Sequence, residues 1–191
     1  MSTVTIEMTT RDKIIELGRD YVQRLGYHSF KYQLIAKDLD IKNAAIHHYF
    51  PTKEDLGAAI IDKDHADFVA MTKPKKDSAR EQLETTLLET YLYFLKGKKN
   101  LCVIGACISA YTELPEKMKK AVQSYIHTLD TWLINVLREG QKRGEFSFSG
   151  KPEDLAALWI AALPGALQSA QARGEDHFYQ VLDQLRKTLN R

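Results

Sequence analysis

Residues 26–56 of this 191-residue chain read GYHSFKYQLIAKDLDIKNAAIHHYFPTKEDL and hold the clearest structural signal in the sequence. Its pattern predicts two short helices, over about 31–39 and 43–49, joined by a tight turn at Asp40-Ile41-Lys42. Aspartate is one of the few residues besides glycine that tolerate the left-handed backbone of such a turn. A helix, a tight turn and a second helix form the motif whose second helix enters the major groove of DNA.

Apolar residues on both predicted helices supply a small core that would fix their crossing angle. The expected members lie on the inner sides of the helices and at the turn. They are Ile35, Ala36, Leu39, Ile41 and Ile46. The small side chain of Ala36 falls where the two helices would approach most closely.

Charge supports DNA binding only locally. The whole chain has 27 Lys and Arg against 25 Asp and Glu, a formal net charge of +2, which excludes a histone-like tail or a polyacidic chain. Residues 22–53, by contrast, hold five basic residues against two acidic ones. Side chains suited to phosphates and base edges cluster around the second helix, with two small alanines that allow close approach. They are Lys42, Asn43, Ala44, Ala45, His47, His48 and Tyr49.

The rest of the chain also has helical periodicity and helix caps. Thr9 with Asp12, Thr52 with Asp55 and Ser78 with Glu81 are expected to begin helices. We predict an all-α fold of about nine helices. Residues 1–52 would form a three-helix DNA-binding domain, and residues 53–191 a helical bundle for ligand binding and dimerisation.

The last two predicted helices, 8 (about 152–173) and 9 (about 175–189), offer more apolar surface than one bundle covers. We therefore expect a homodimer held mainly by these two helices. No window reaches the length of uninterrupted apolar residues that a membrane span needs, and the N-terminus lacks the features of a secretory signal. A cytoplasmic protein without a membrane partner is expected.

Catalytic and metal-binding patterns are missing from the sequence. It holds no nucleophile-base motif, no glycine-rich phosphate loop and no carboxylate-histidine cluster, so an enzyme, a cofactor and a metal site are not expected. The neighbours His47 and His48 would point about 100 degrees apart on a helix, which disfavours a shared zinc ion. Cys102 and Cys107 are expected to be free thiols, because their five-residue spacing puts them on different faces of a helix.

The segment Ile46-His-His-Tyr-Phe-Pro-Thr-Lys-Glu-Asp-Leu56, with Gly26-Tyr27, Ile35-Ala36 and Ile41, resembles the TetR/AcrR family of bacterial transcription regulators. The resemblance is firm over residues 10–60 and less specific beyond them. It implies that His47 replaces a tyrosine that touches phosphate and that His48 and Tyr49 continue the same face. It also implies that Lys53 binds the DNA backbone. Lys31, Tyr32 and Gln33, at the start of the first motif helix, complete the predicted DNA-contacting set.

Three residues depart from the family pattern. Lys31 and Lys42 stand where a serine or threonine cap is usual, and Asp40 stands where the turn usually has glycine. An alternative therefore remains open, in which the chain is a ligand- or redox-sensing helical protein or adaptor with weakened DNA binding. In the redox version, Cys107 or Cys102 would react, with Lys98 and Lys99 lowering the pKa of Cys102.

The resemblance also implies an effector cavity inside the bundle. A cavity with few charges would suit a small hydrophobic or aromatic effector. The candidates to line it, for each of which plain core or interface is the favoured interpretation, are Phe68, Tyr91, Phe94, Cys107, Tyr111, Tyr125, Trp132 and Trp159. The expected function is repression at a near-palindromic operator in double-stranded DNA, relieved when the effector binds.

Overall fold

The computed structural model describes residues 8–73, 77–97 and 101–190, a chain of nine helices without strands in these ranges. The predicted all-α class is confirmed. The bounds are α1 Thr10–Leu25, α2 Tyr32–Leu39, α3 Asn43–Tyr49, α4 Lys53–Met71, α5 Ala79–Gln82 continuing through Leu83–Leu88 and Glu89–Lys96, α6 Val103–Ser109, α7 Glu116–Lys142, α8 Pro152–Arg173 and α9 Glu175–Thr188.

The predicted N-terminal caps are confirmed. Thr9 accepts a hydrogen bond from the Asp12 backbone, and Ser78 accepts one from the Glu81 backbone. At α4, the Thr52 side chain accepts from the Asp55 backbone while the Asp55 carboxylate accepts from the Thr52 backbone, which is a complete capping box. The start of α4 is therefore held firmly at the point where the chain leaves α3.

Two helices differ from the sequence expectation. α5 contains a π-helical segment, Leu83–Leu88, which the periodicity did not reveal. A π-helical turn inserts an extra residue and rotates the side chains that follow it, and such turns occur often at functional sites. The sequence predicts one helix over about 103–113, stopping at Leu114-Pro115, but α6 ends at Ser109 and a 3₁₀ turn at Tyr111–Glu113 follows it.

The buried side chains form two clusters. The first lies among α1 to α4, α6 and the first half of α7; the second lies among α5, the rest of α7, α8 and α9. Helix α4 packs against α1 on one side and α7 on the other. Gly57 makes the second contact possible, because a Cβ there would lie 2.6 Å from Met118 Sδ. The predicted boundary between residues 52 and 53 remains a prediction, since α4 packs against helices of both units.

Helix α8 is the one helix among the described residues that is long and apolar enough to cross a membrane, by length and composition alone. It packs extensively on α9, and Trp159 and Leu163 lie in the core. Only a third of its most apolar window is buried within this chain, however, and Leu158 is 49% exposed. This helix therefore presents an apolar side that the monomer does not cover.

Candidate DNA interface and effector cavity

The turn between α2 and α3 has the geometry that the sequence predicts. Asp40 adopts the left-handed conformation, with φ 52° and ψ 46°. Its N–H donates to the Lys37 carbonyl at 3.3 Å, and the Ile41 N–H donates to the Ala36 carbonyl at 3.0 Å. These two bonds close the end of α2 as a Schellman motif, so aspartate takes the role that glycine usually plays.

The core of the helix pair is also as predicted, with Ile35, Ala36 and Ile46 buried and Leu39 and Ile41 half-buried. Lys31 and Lys42 occupy the N-cap positions of α2 and α3, and neither side chain makes a capping hydrogen bond. Their ammonium groups are exposed. As the sequence indicates, α2 and α3 therefore begin without a side-chain cap, and both lysine cations lie at the surface.

Most of the predicted DNA-contacting residues share this surface. The exposed ones are Lys31, Gln33, Lys42, Ala44, His47, His48 and Tyr49. Asn43 and Ala45 are half-buried, and Oδ1 of Asn43 is buried without a hydrogen-bond partner among the described residues. His47 Nδ1 lies 3.2 Å from the Pro51 carbonyl oxygen, which holds the ring beside the start of α4.

Tyr32 and Lys53 are placed differently from the sequence expectation. Tyr32 is buried, and its hydroxyl donates to the carbonyl oxygens of Phe50 and Thr52, at 3.0 and 2.5 Å. Burial raises the pKa of this phenol to about 12. Tyr32 therefore braces the α3–α4 connection, and its side chain does not lie on the exposed surface; its contact with DNA stays a prediction.

Lys53 stands at the first position of α4, and its cation faces the protein. Its Nζ lies 4.7 Å from the centre of the Tyr27 ring and 4.6 Å from that of Phe30, and it donates to the His28 carbonyl at 3.1 Å. Desolvation by this partial burial lowers the pKa of Lys53. To contact a DNA phosphate, Lys53 would have to give up these interactions.

A cavity of about 750 Å³ lies between α1, α4, α5, α6, α7 and α8. Four of the eight predicted residues line it: Phe68, Tyr91, Phe94 and Tyr125. The π-helical segment contributes Thr85, Thr86 and Leu87, and the kink-prone Pro164 of α8 lies in the wall. The walls are therefore mainly apolar and aromatic, and they join the two predicted domains.

The other four predicted pocket residues lie outside this cavity lining. Trp159 is in the second core, where its Nε1 donates to Thr188 Oγ1 at 3.1 Å. Trp132 stands edge-on behind Phe68, with ring centres 5.5 Å apart. Tyr111 accepts a hydrogen bond from Gln123, and Cys107 is buried in the first core. These four residues pack against other parts of the protein and do not line the cavity, contrary to the expectation.

Both cysteines are free thiols, as expected. Burial raises the pKa of Cys107 to about 12 and also raises the pKa of Cys102, which lines the cavity beside the Tyr91 hydroxyl. The direction is opposite to the one that a reactive thiol requires. Lys98 and Lys99, expected to lower the pKa of Cys102, lie outside the described residues.

Sequence reasoning missed the polar end of the cavity, formed by Arg19 of α1 and Asp64 of α4. Arg19 Nε lies 3.0 Å from Asp64 Oδ1, and the Tyr125 hydroxyl donates to Asp64 Oδ2 at 3.2 Å. One signal could have found Asp64: it follows Ile60 and precedes Phe68 at helical spacing, so it places a charge on the apolar stripe of α4.

No group of three or more His, Cys, Asp or Glu side chains suited to a metal ion occurs in the described part of the chain. The fold and the exposed face of α3 instead define a helix-turn-helix DNA-binding protein with a second, cavity-bearing helical unit.

Residues 14–60 match the family model described as bacterial regulatory proteins, tetR family, and residues 81–185 match the tetracyclin repressor-like C-terminal domain. The chain belongs to the TetR family of transcriptional regulators. The family's members bind DNA and small-molecule effectors.

Three comparisons illustrate the relationship. A TetR-family regulator from Agrobacterium tumefaciens superposes with a TM-score of 0.84 at 27% identity, covering 95% of this chain and 97% of that one. The fatty acid metabolism regulator protein of Bacillus subtilis (strain 168) is 25% identical over 70% of this chain and 69% of its own. The transcriptional repressor NemR of Escherichia coli (strain K12) is 21% identical over 82% and 83%.

Proposed function

We propose that this regulator is a cytoplasmic homodimeric repressor, released from a near-palindromic operator by a small hydrophobic or aromatic effector. The observation that carries the proposal is the position of α4. Its first turn, at Thr52 and Lys53, adjoins the exposed face of α3, while Asp64 and Phe68 on the same helix line the cavity. A ligand that moves α4 therefore acts on the DNA-binding unit directly.

On DNA, α3 lies in the major groove. Phosphates are contacted by His47 and by Lys31 and Lys42, whose side chains make no capping hydrogen bond, and these contacts set the position of the helix. Asn43 reads an adenine edge. A bidentate contact from Asn43 requires its amide to rotate outward, because Oδ1 is buried in the free protein. Ala44 and Ala45 leave room for the bases.

The second copy covers the open side of α8 and α9. Leu158 and Tyr179 are exposed there, and a shallow groove with Ala162 and Val181 in its walls runs between the two helices. Exposed apolar patches of this kind mark interfaces. Two-fold symmetry then presents two copies of α3 to half-sites separated by about one helical turn or slightly more.

Release is a shift between two conformations of the dimer. One conformation spaces the two α3 helices for the operator, and the other spaces them differently and binds the effector more tightly. The effector lowers DNA affinity only by its difference in affinity for the two conformations. No bond is made or broken in this cycle, so the proposal includes no catalysis, cofactor or metal.

Binding of the purified protein to the DNA upstream of its own gene tests the proposal. Fluorescence anisotropy at two salt concentrations, beside a scrambled duplex of the same composition, should give tight binding to the natural sequence that weakens with salt. Equal, weak binding to both duplexes would contradict operator recognition there, and selection of bound genomic fragments would then locate another operator.

A second candidate function is that of an adaptor with lost DNA recognition, which the missing side-chain caps at Lys31 and Lys42 favour. It predicts tight ligand binding together with sequence-blind DNA binding. Failure of the genomic selection to enrich any sequence would support this candidate over the repressor.

A further inference from the structure

The charged residues on the cavity wall are mainly acidic. Arg19 is the one basic residue in the lining among the described residues, and it stands with Asp64, Asp67 and Glu89. Such an excess of carboxylates repels an anionic ligand and attracts a cationic one, the more so in a site that excludes water.

The positive charge of Arg19 is already offset. Its guanidinium lies 3.0 Å from Asp64, 3.5 Å from Asp67 and 3.6 Å from Glu16. Lys63 adds a second cation, at 2.6 Å from Asp67 and 3.7 Å from Glu16. Three carboxylates, those of Glu16, Asp64 and Asp67, thus surround these two cations, and Arg19 offers little attraction to a carboxylate or phosphate on a ligand.

Asp64 has unused capacity to accept hydrogen bonds. It is 8% exposed, and the Tyr125 hydroxyl at 3.2 Å is its one hydrogen-bond donor in the described residues. The nearby Arg19 Nε is close but makes no well-aligned hydrogen bond. An ionised carboxylate can accept about four hydrogen bonds. Burial raises the pKa of Asp64, because the anion lacks full compensation for lost water.

The apolar part of the wall also suits a cation. Five aromatic rings line the cavity, and aromatic faces attract ammonium groups while covering the hydrocarbon next to them. These rings belong to Phe68, Tyr91, Tyr93, Phe94 and Tyr125.

From this geometry we infer that the effector is an amphiphile whose apolar body fills the cavity and whose protonated amine pairs with Asp64. The inference rests on the proposed function and narrows its effector to one chemical class. An N–H of the amine donates to the carboxylate that Arg19 now contacts with poor alignment, forming a charge-assisted hydrogen bond.

The same contact reaches the DNA-binding unit. Arg19 belongs to α1, and Asp64 belongs to α4, which packs closely on α1 where Ile60 approaches Gly18. An amine that binds the Asp64 carboxylate weakens the ion pair between Arg19 and Asp64, and with it the contact between α1 and α4. The ligand then favours a conformation in which α1 and α4 are repositioned, which lowers DNA affinity.

Three probes with the same ten-carbon chain isolate the head group: decylamine, decanol and decanoate, each kept below its micelle concentration. Titration calorimetry on the full dimer should show decylamine binding at least about tenfold more tightly than decanol, the ratio that one hydrogen bond to a charged group supplies. Decanoate should bind most weakly. Equal affinities, a preference for decanoate, or no binding of decylamine overturns the inference.

Asp64→Asn should abolish the preference for decylamine while leaving decanol affinity within about twofold, since the asparagine keeps the shape but loses the charge. Asp67→Asn is the matched control, because Asp67 also lines the cavity near Arg19 but is already paired with Lys63 through both oxygens. Loss of the preference in the control alone would also contradict the role of Asp64. If Asp64→Asn does not fold, the comparison of decylamine, decanol and decanoate on the natural protein still tests the inference.

DNA release is measured separately, by anisotropy with each probe present. A preference for decylamine in calorimetry without any change in DNA binding would contradict the proposed effector-release mechanism and leave the ligand class standing. DNA release by decanoate but not by decylamine would keep the release mechanism and refute the ligand class.

Discussion

Lys117 of α7 donates a 2.7 Å hydrogen bond to Oδ1 of Asp55, whose Oδ2 accepts from both the backbone and the hydroxyl of Thr52. One carboxylate thus closes the capping box of α4 and ties it to the helix bundle. These contacts lower the pKa of Asp55, with the Lys117 hydrogen bond as the largest cause. The bundle is thereby connected to the end of α4 that adjoins α3 by a route separate from the cavity.

Lys117→Gln should weaken the response of DNA binding to effector by several-fold while leaving the melting temperature nearly unchanged. The Lys117 side chain is 56% exposed and that of Asp55 is 31% exposed, so solvent screens the pair, which contributes little to stability but still couples α7 to α4. Lys119→Gln is the control, since Lys119 pairs with Glu116 on its own helix. Anisotropy titrations with effector measure the response, and identical effects of the two substitutions would rule out this route.

Tyr32→Phe should lower the free energy of unfolding by about 1–3 kcal/mol, because it leaves the carbonyls of Phe50 and Thr52 without their shared donor. Tyr49→Phe, at an exposed position of α3, should leave stability unchanged. Urea denaturation followed by circular dichroism compares the two. A stable Tyr32→Phe protein with weakened DNA binding would instead restore Tyr32 as a DNA contact.

Asn43→Ala and His47→Ala should affect DNA binding in different ways. If Asn43 reads one adenine, its loss removes about 1–3 kcal/mol of discrimination at one base pair and relaxes the preference there. If His47 contacts phosphate, its loss weakens binding about equally for all sequences. A panel of operators with single base changes measures both, and the opposite pattern would exchange the two roles.

Cys107 should be nearly inert toward thiol reagents in the native protein. With its pKa raised to about 12 by burial, the thiolate is a minute fraction of the thiol at neutral pH, and its population rises only as the pH approaches that value. Unfolding should accelerate its reaction with Ellman's reagent by about a hundredfold or more, as the pKa returns to its ordinary range. Rapid native modification that also abolishes DNA binding would favour the redox-sensing alternative.

Leu158→Glu should convert the proposed dimer to a monomer and abolish tight operator binding, because it places a charge in the proposed α8–α9 interface. Val69→Glu is the control, since Val69 on α4 is similarly exposed but lies away from that surface. Light scattering after size-exclusion chromatography gives the mass in solution. A Leu158→Glu protein that remains dimeric would place the interface elsewhere.

Features that depend on residues close together in the chain can be predicted from the sequence. Thr9, Thr52 and Ser78 begin helices because a hydroxyl reaches a backbone N–H three positions on, and Asp40 ends α2 because its backbone tolerates the left-handed conformation. The apolar period then places Ile35 and Ile46 in the core. The helices, their order and the exposed face of α3 follow from these local preferences.

Which side chains meet across the molecule depends on how the helices pack. Aromatic residues at helical spacing look alike in sequence, so nothing local separates Tyr91, which lines the cavity, from Trp159, which fills the core. The pairing of Arg19 with Asp64 likewise depends on how α1 packs on α4, since the two residues lie far apart in the chain. Burial and long-range contact are properties of packed helices, and they determine the chemistry of the cavity.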